Sequence, residues 1–472
     1  MEKTILTFIF TIFICAITIA QNRVTAPKII STIPAFGDCK VDSGLTEIII
    51  RFDQDMANGM SLVNTQNLPE KSGQPKWVDQ KTLSIPVKLS PNKLYSLAFN
   101  NFRFQNFRNT SGIPLNPEDL LFQTKPVSDE PLSVSNESLN KKAYNEFKEV
   151  FPKQYSYASL KGIDWKTTLE KNRAELENAK TNTEFALKLV KMLRTTEDPH
   201  LWVKVEGQQF ATGKMKLVEI NYGSKQLFSL LQDKKVSNGF VSIAGVIDSV
   251  GYISMRDWNT DFNKLALKLW GNAKNPEIKA EDALKELFRY PNLIIDVREN
   301  SGGNESYAKQ FASYFVKDSI PYEKVRSFNE KTGLFDSEYI KKMYPNETKL
   351  NYSGNIYVLS GPTVMSSNES FILMMKQVPN TKVVGMKTYG SSGNPVPREL
   401  SNGVTVYLPS WQAYTLEGKL IEGNGIEPNI EIITSKKDFE NNDVLVEDVL
   451  KMIKNKNEYP FLYLNHRFFF YL

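Results

Sequence analysis

Only two histidines occur in the chain, His200 and His466, so few positions could supply a neutral general base near pH 7. His466 stands in the aromatic run NHRFFFYL without an acidic neighbour and reads as a surface or packing residue. His200 stands in TEDPHLWV, at a junction between elements, where functional residues concentrate. Ser366 and Glu369 in VMSSNES form S-x-x-E, the spacing of a capping box. A serine at a helix N-terminus also has free amides and the positive end of the helix dipole beside it, which is what a nucleophile and its oxyanion need. Residues 293–304, LIIDVRENSGGN, read as a buried strand entering a glycine-bearing turn, where amides can approach a negative charge. That turn lacks the spacing of a dinucleotide fingerprint. Glu422, in the glycine-bounded EGNG, reads by itself as a surface carboxylate. Serine, histidine, turn amides and carboxylate in one cleft would perform acyl transfer.

Several elements must position these groups. Residues 1–20, MEKTILTFIFTIFICAITIA, have the lysine and short apolar run of a signal peptide, which implies a secreted or periplasmic protein with no span left after cleavage. Cleavage after Ala20 leaves Cys39 as the single cysteine, so no internal disulfide can form. Residues 21–124 alternate β-rich runs at 47–52, 82–87, 95–99 and 120–122 with turn residues, the punctuation of a small all-β sandwich. Asp53 and Asp55 in it read as solvated edge charges. Residues 125–138 are polar, carry two prolines and read as a linker. In residues 139–200, a helix bearing Tyr144, Phe147 and Phe151 is expected to stop at Pro152. A second helix opens at Asp164, and a third at the capping box of Thr181 and Glu184. Residues 201–440 alternate strands and helices, an α/β core. Residues 441–472 are a C-terminal helix and an aromatic tail, expected to dock on the core.

Composition sets bounds on partners. Hydrophobic residues at 41% and charged residues at 24% exclude a mainly disordered, collagen-like or multi-span chain. The net charge of +5 from 58 basic and 53 acidic residues is spread without dense clusters, so no nucleic-acid partner is expected.

Taken together, YSYASLKGIDW, TEDPH, IIDVRENSGG, VMSSNES, VVGMKTYGSSG and EGNGIEPNI, over residues 139–435, resemble the serine peptidase family of the tail-specific processing proteases and the tricorn protease core. The resemblance implies a fold related to crotonase and Clp-type proteases, a peptide or protein substrate, and no cofactor or metal. The β-rich segment resembles bacterial immunoglobulin-like modules and is expected to be accessory, so that deleting residues 21–124 spares hydrolysis of a short peptide. Carried over by position, Ser366 is the nucleophile, and the amides of Gly303 and Ser367 form the oxyanion hole. The lysine base of the processing branch would fall at Ser391, so that dyad is absent. The tricorn-like branch implies His200 as base and Glu422 as its carboxylate. In that branch a serine beside the histidine links the two, and here that position is Pro199. Three arrangements stay open for Glu422: contact through another hydroxyl, direct orientation of His200, or little contribution. No PDZ-type insert is recognisable between His200 and Asp296, and Asn429 stands where the family often has aspartate. Two other readings remain: a non-catalytic carrier of peptides or apolar ligands on the same fold, and an esterase-like hydrolase.

Overall fold

The five residues of Asn292–Asp296 are all buried, as are the six of Val250–Met255. Unbroken burial of this kind marks strands covered on both faces, as in a parallel sheet. The two strands pair in parallel, and Asn355–Ser360, Thr381–Gly385 and Ile430–Glu431 continue the parallel order. Gln232–Val236 and Ser242–Ile247 extend the other edge antiparallel, completing a seven-stranded sheet. Side chains alternate between the faces with the period of a strand. Leu293, Ile295 and Val358 pack with the helices Phe262–Trp270, Ala280–Leu287, Glu305–Ala312 and Ser367–Lys376. Ile294, Tyr357, Leu359 and Val384 face the other way, against the helices Ser224–Leu230 and Val444–Glu458.

This computed structural model describes residues 25–63, 67–101, 104–126, 137–213, 215–236, 242–271, 277–329 and 331–458. The signal peptide expected at 1–20, most of the linker expected at 125–138 and the aromatic tail from residue 459 lie outside them.

The N-terminal segment is all-β. One sheet holds Ile29–Ile33, Glu47–Phe52 and Thr82–Lys88 with two short partners, and the other holds Leu62–Val63, Leu94–Phe99 and Glu118–Gln123. Ile48, Ile50, Phe52, Leu83 and Phe122 fill the space between them. Helices Glu137–Gln154, Trp165–Glu177 and Asn182–Leu193 follow. Asp164 caps the second by accepting from Thr167 N, as its position predicts. Thr181 caps the third through Glu184 N, while the Glu184 carboxylate accepts from Lys180 N, one residue before the cap. Pro152 does not stop the first helix, which runs on to Gln154. In the last turn a proline forfeits one hydrogen bond and has little helix beyond it to kink.

Two packing features depart from the expected boundaries. Leu201, Val203, Phe210, Leu400, Val406 and Leu408 share one core with Tyr144, Phe151 and Leu189, so packing runs across residue 200 and draws in chain from 200 residues later. The bridge is an antiparallel sheet in which Tyr407 lies opposite Trp202 on one side and Pro397 on the other. That same core contains Leu94 and Leu121 of the β-unit. Arg194 adds an ion pair to Asp119 and lies 4.0 Å over the Phe36 ring.

The β-unit therefore forms part of a common interior, and its removal would bare apolar surface on the helices. Leu121→Ala, a large-to-small change at a buried site, is expected to lower the unfolding free energy by about 2–5 kcal/mol. Urea denaturation measures it, and a loss within experimental error would show that the two units are independent.

Candidate active site

The parallel strands deliver their following loops to one edge, at the carboxyl ends, where open α/β sheets bind ligands. Ser366 lies between Asn355–Ser360 and its helix, in a backbone conformation of φ 57° and ψ −134°. A non-glycine residue at such φ is strained and persists only where its surroundings impose it. Two contacts do so here: Ser366 N donates to Ser391 O at 2.8 Å, and Ser366 O accepts from Glu369 N at 2.8 Å. The capping box allowed by S-x-x-E does not form, because the Ser366 side chain makes no cap bond. Its Oγ lies instead 2.9 Å from His200 Nε2.

The glycine turn packs directly on this serine. A Cβ at Gly302 (φ +110°) would sit 2.8 Å from Ser366 Cβ, and one at Gly303 (φ +138°) 2.7 Å from the backbone of Trp258. Both positions therefore require glycine. Trp258 N donates to Gly302 O and Asn304 N to Trp258 O, which pins the turn. Among the described residues the amides of Gly303 and Ser367 have no acceptor. Asn368, unremarked in the sequence, braces the turn from the helix that follows Ser366. Its side chain accepts from Trp258 Nε1 at 3.0 Å and donates to Val297 O at 3.1 Å and Asn300 O at 2.9 Å.

His200 is seated by Asp198, whose carboxylate accepts from His200 N at 2.8 Å and from Tyr155 OH at 2.7 Å. Gly213 passes so close to Asp198 that a Cβ would collide with its backbone. Burial lowers the His200 pKa below the usual 6.5; the nearby Asp198 charge opposes this and the Lys161 charge reinforces it. The ring is therefore held neutral. Its Nδ1 lies 3.0 Å from Ser391 Oγ, the hydroxyl at the position where the processing branch would carry lysine.

Two buried carboxylates hold the loop that carries Ser391. Glu369 accepts from Thr388 Oγ1 at 2.5 Å and from the amides of Gly390 and Ser391, each at 2.9 Å. Burial pushes its carboxyl up to about 8, opposed by these donated bonds. Glu422 accepts from Ser392 N at 3.0 Å and pairs with Lys161 Nζ at 3.0 Å. Burial and the Asp198 charge raise its pKa, with Lys161 opposing. Among the described residues Glu422 makes no contact with His200. Ser366, His200, Gly303 and Ser367 are thus gathered at one edge, while Glu422 stands one residue removed. Sequence patterns point neither to Asn368 nor to the loop contacts of Glu369, and they mark Ser391 only as the position where a lysine base would fall. Asn429 exchanges hydrogen bonds with the Val383 backbone and is a packing residue.

Residues 249–432 match the model of peptidase family S41, and residues 140–194 that of the tricorn protease C1 domain. A Staphylococcus epidermidis protein named as a CtpA-like serine protease is 28% identical over 174 residues, 37% of this chain and 33% of that one. Its Staphylococcus aureus namesake is 26% identical over 188 residues, 40% of this chain and 34% of that one. The match thus spans about a third of the length of these curated relatives. A crystal structure from Parabacteroides merdae, of a protein described as a candidate peptidase, shares the fold at a TM-score of 0.52. Its identity is 19%, over 69% of this chain and 99% of that one. These likenesses are to serine peptidases, and the fold is mixed α/β. Over residues 249–432 the chain is similar to peptidase family S41.

Asn368→Ala would leave Trp258 Nε1 and the Asn300 carbonyl unpaired, while Val297 O keeps the Asn300 amide, at about 1–3 kcal/mol for each orphaned group. The expected result is a stability loss of at least about 2 kcal/mol by chemical denaturation. A thermal and chemical profile matching the parent would mean that the turn holds itself.

Proposed function

We propose that the protein is an exported serine endopeptidase that cleaves peptide bonds through an acyl-enzyme on Ser366, with His200 as general base. The observation that carries this reading is the strained serine, its Oγ 2.9 Å from a buried neutral imidazole and beside amides without acceptors. In acylation, Ser366 Oγ bonds to the scissile carbonyl carbon as its proton passes to His200 Nε2. The oxyanion is held by the amides of Gly303 and Ser367. Collapse breaks the carbon–nitrogen bond, and Nε2–H protonates the leaving amine. Water then repeats the sequence: its proton goes to Nε2, its oxygen bonds to the acyl carbon, and Ser366 Oγ leaves and recovers the proton.

The same reading takes the seven-stranded core as crotonase-type, the β-unit as immunoglobulin-like, residues 1–20 as a cleaved signal peptide, and the destination as periplasm or medium. The natural partner is a peptide or protein substrate, by analogy with the serine proteases it resembles.

A fluorophosphonate probe with intact-mass detection tests the chemistry. One adduct is expected on the parent protein and none on Ser366→Ala or His200→Ala, with circular dichroism of all three alike. An unlabelled parent would transfer the weight to the carrier reading, and labelling without peptide cleavage to an esterase.

The depressed His200 pKa fixes the sign of the pH dependence. The imidazole must be neutral to accept the Ser366 proton, so the acid limb of kcat/KM should lie below the ordinary histidine value of 6.5. Lys161→Met removes a positive charge that disfavours the imidazolium and so raises the His200 pKa. The acid limb is then expected to move to higher pH, and an unmoved limb would reject the electrostatic account of His200.

A further inference from the structure

The polar groups of Ser391 face three ways, and each has a partner in the site. Its carbonyl accepts from the Ser366 amide at 2.8 Å. Its own amide donates to Glu369 Oε2 at 2.9 Å. Its hydroxyl lies 3.0 Å from His200 Nδ1 across 191 residues of chain. Glu369 sits one helical turn after Ser366, so these contacts close a ring: nucleophile, imidazole, Ser391, Glu369 and back through the helix to the nucleophile. Ser391 and Glu369 are each 1% exposed and His200 6%, while Ser366 is partly buried.

We propose that Ser391 is the positioning residue of the proposed acyl-transfer reaction, its hydroxyl accepting the Nδ1 proton of His200, with Glu369 holding Ser391 in place. This rests on the reading of Ser366 and His200 as nucleophile and base. For Nε2 to take the Ser366 proton it must carry a lone pair, so the neutral ring's proton must be on Nδ1. Ser391 Oγ is the oxygen that Nδ1 meets. When Nε2 is protonated during acylation, Nδ1 keeps its proton, and the hydroxyl dipole stabilises the imidazolium without further transfer. Pro199 removes the hydroxyl expected beside the histidine, and Ser391 supplies one from a distant loop.

The two carboxylates then have separate tasks. The amides of Gly390 and Ser391 donate to the two oxygens of Glu369, one to each, and the Thr388 hydroxyl adds a third bond. Glu422 secures the next residue through Ser392 N, while the Tyr157 hydroxyl meets the Ser392 hydroxyl at 2.8 Å. Ser391 is thus fixed from both sides. A carboxylate oriented to bind a loop amide does for the relay indirectly what a carboxylate on the ring would do by contact.

The two histidines make one test spectroscopic. In 15N-histidine-labelled protein above the His200 titration, with His466→Ala to assign the pair, the His200 resonance is expected to report the Nδ1–H tautomer. In Ser391→Ala the Nδ1 proton should exchange faster with water. A parent ring protonated on Nε2 would overturn the proposal, because Ser391 would then be the donor. The second arm is kinetic. Loss of the hydroxyl is expected to lower kcat roughly tenfold to a hundredfold with KM little changed, as for small misplacements of a catalytic group. Ser391→Thr should restore most of kcat, since it returns the hydroxyl, and Glu369→Gln, which sets an amide donor against the Ser391 N–H, should reproduce the defect. An unchanged kcat in folded Ser391→Ala also overturns it. If the parent cleaves nothing, the functional reading fails, and the tautomer measurement still decides the hydrogen bond.

Discussion

Arg298 is the one guanidinium that is fully buried among the described residues, and all five of its N–H groups have acceptors. Asp296 takes two of them, Asp443 two, and the Asn221 carbonyl the last. A guanidinium in this position is tolerable only with its donors satisfied and its charge matched. The central strand end, the segment before the sheet and the start of the C-terminal helix must therefore meet at one point. Asp443 also accepts from Val446 N and so anchors that helix to the core. The Arg298 carbonyl accepts from Thr363 Oγ1, in the loop before Ser366. The glycine turn begins two residues after this clamp, so the geometry at Gly303 descends from a salt bridge with no part in the chemistry. Burial would raise the Asp296 pKa, but Arg298 outweighs it and holds the carboxyl below its usual range.

Electrostatics around the imidazole follow the same pattern of charge cancelled locally. Lys161 pairs with Glu422 and Tyr155 donates to Asp198, and at His200 the Lys161 and Asp198 charges act in opposite directions. What reaches His200 is mostly the cost of burial, which favours a neutral ring. Compensation of this kind lets a crowded set of charges surround a base without forcing a proton onto it.

The parallel strands were legible because their apolar runs are long, and the glycine turn and Ser366 because their local patterns are distinctive. The hairpin Ile320–Asn329 with Leu334–Met343 was not, since one strand lies largely exposed and carries no apolar alternation. The strand Pro395–Glu399 was hidden by its two prolines, which an edge position tolerates. Glu369 illustrates a deeper limit. Its spacing from Ser366 fits a local cap, and only tertiary structure shows that the carboxylate serves a loop 19 to 22 residues away. Ser391 carries no signal of its own; its meaning lies in a residue 191 positions earlier. Likewise, the shared interior of β-unit and helices is invisible in sequence, because Leu121 reads the same whichever core it fills.

The sheet that places Trp202 and Pro397 on either side of Tyr407 has a consequence for the life of the chain. Synthesis makes the histidine long before the serine, and the strand that joins their neighbourhoods emerges later than both. Until that strand is laid between its partners, Ser366 is an ordinary alcohol and the imidazole an ordinary ring. On the proposed chemistry, reactivity then waits on a strand that the chain makes after both reacting groups.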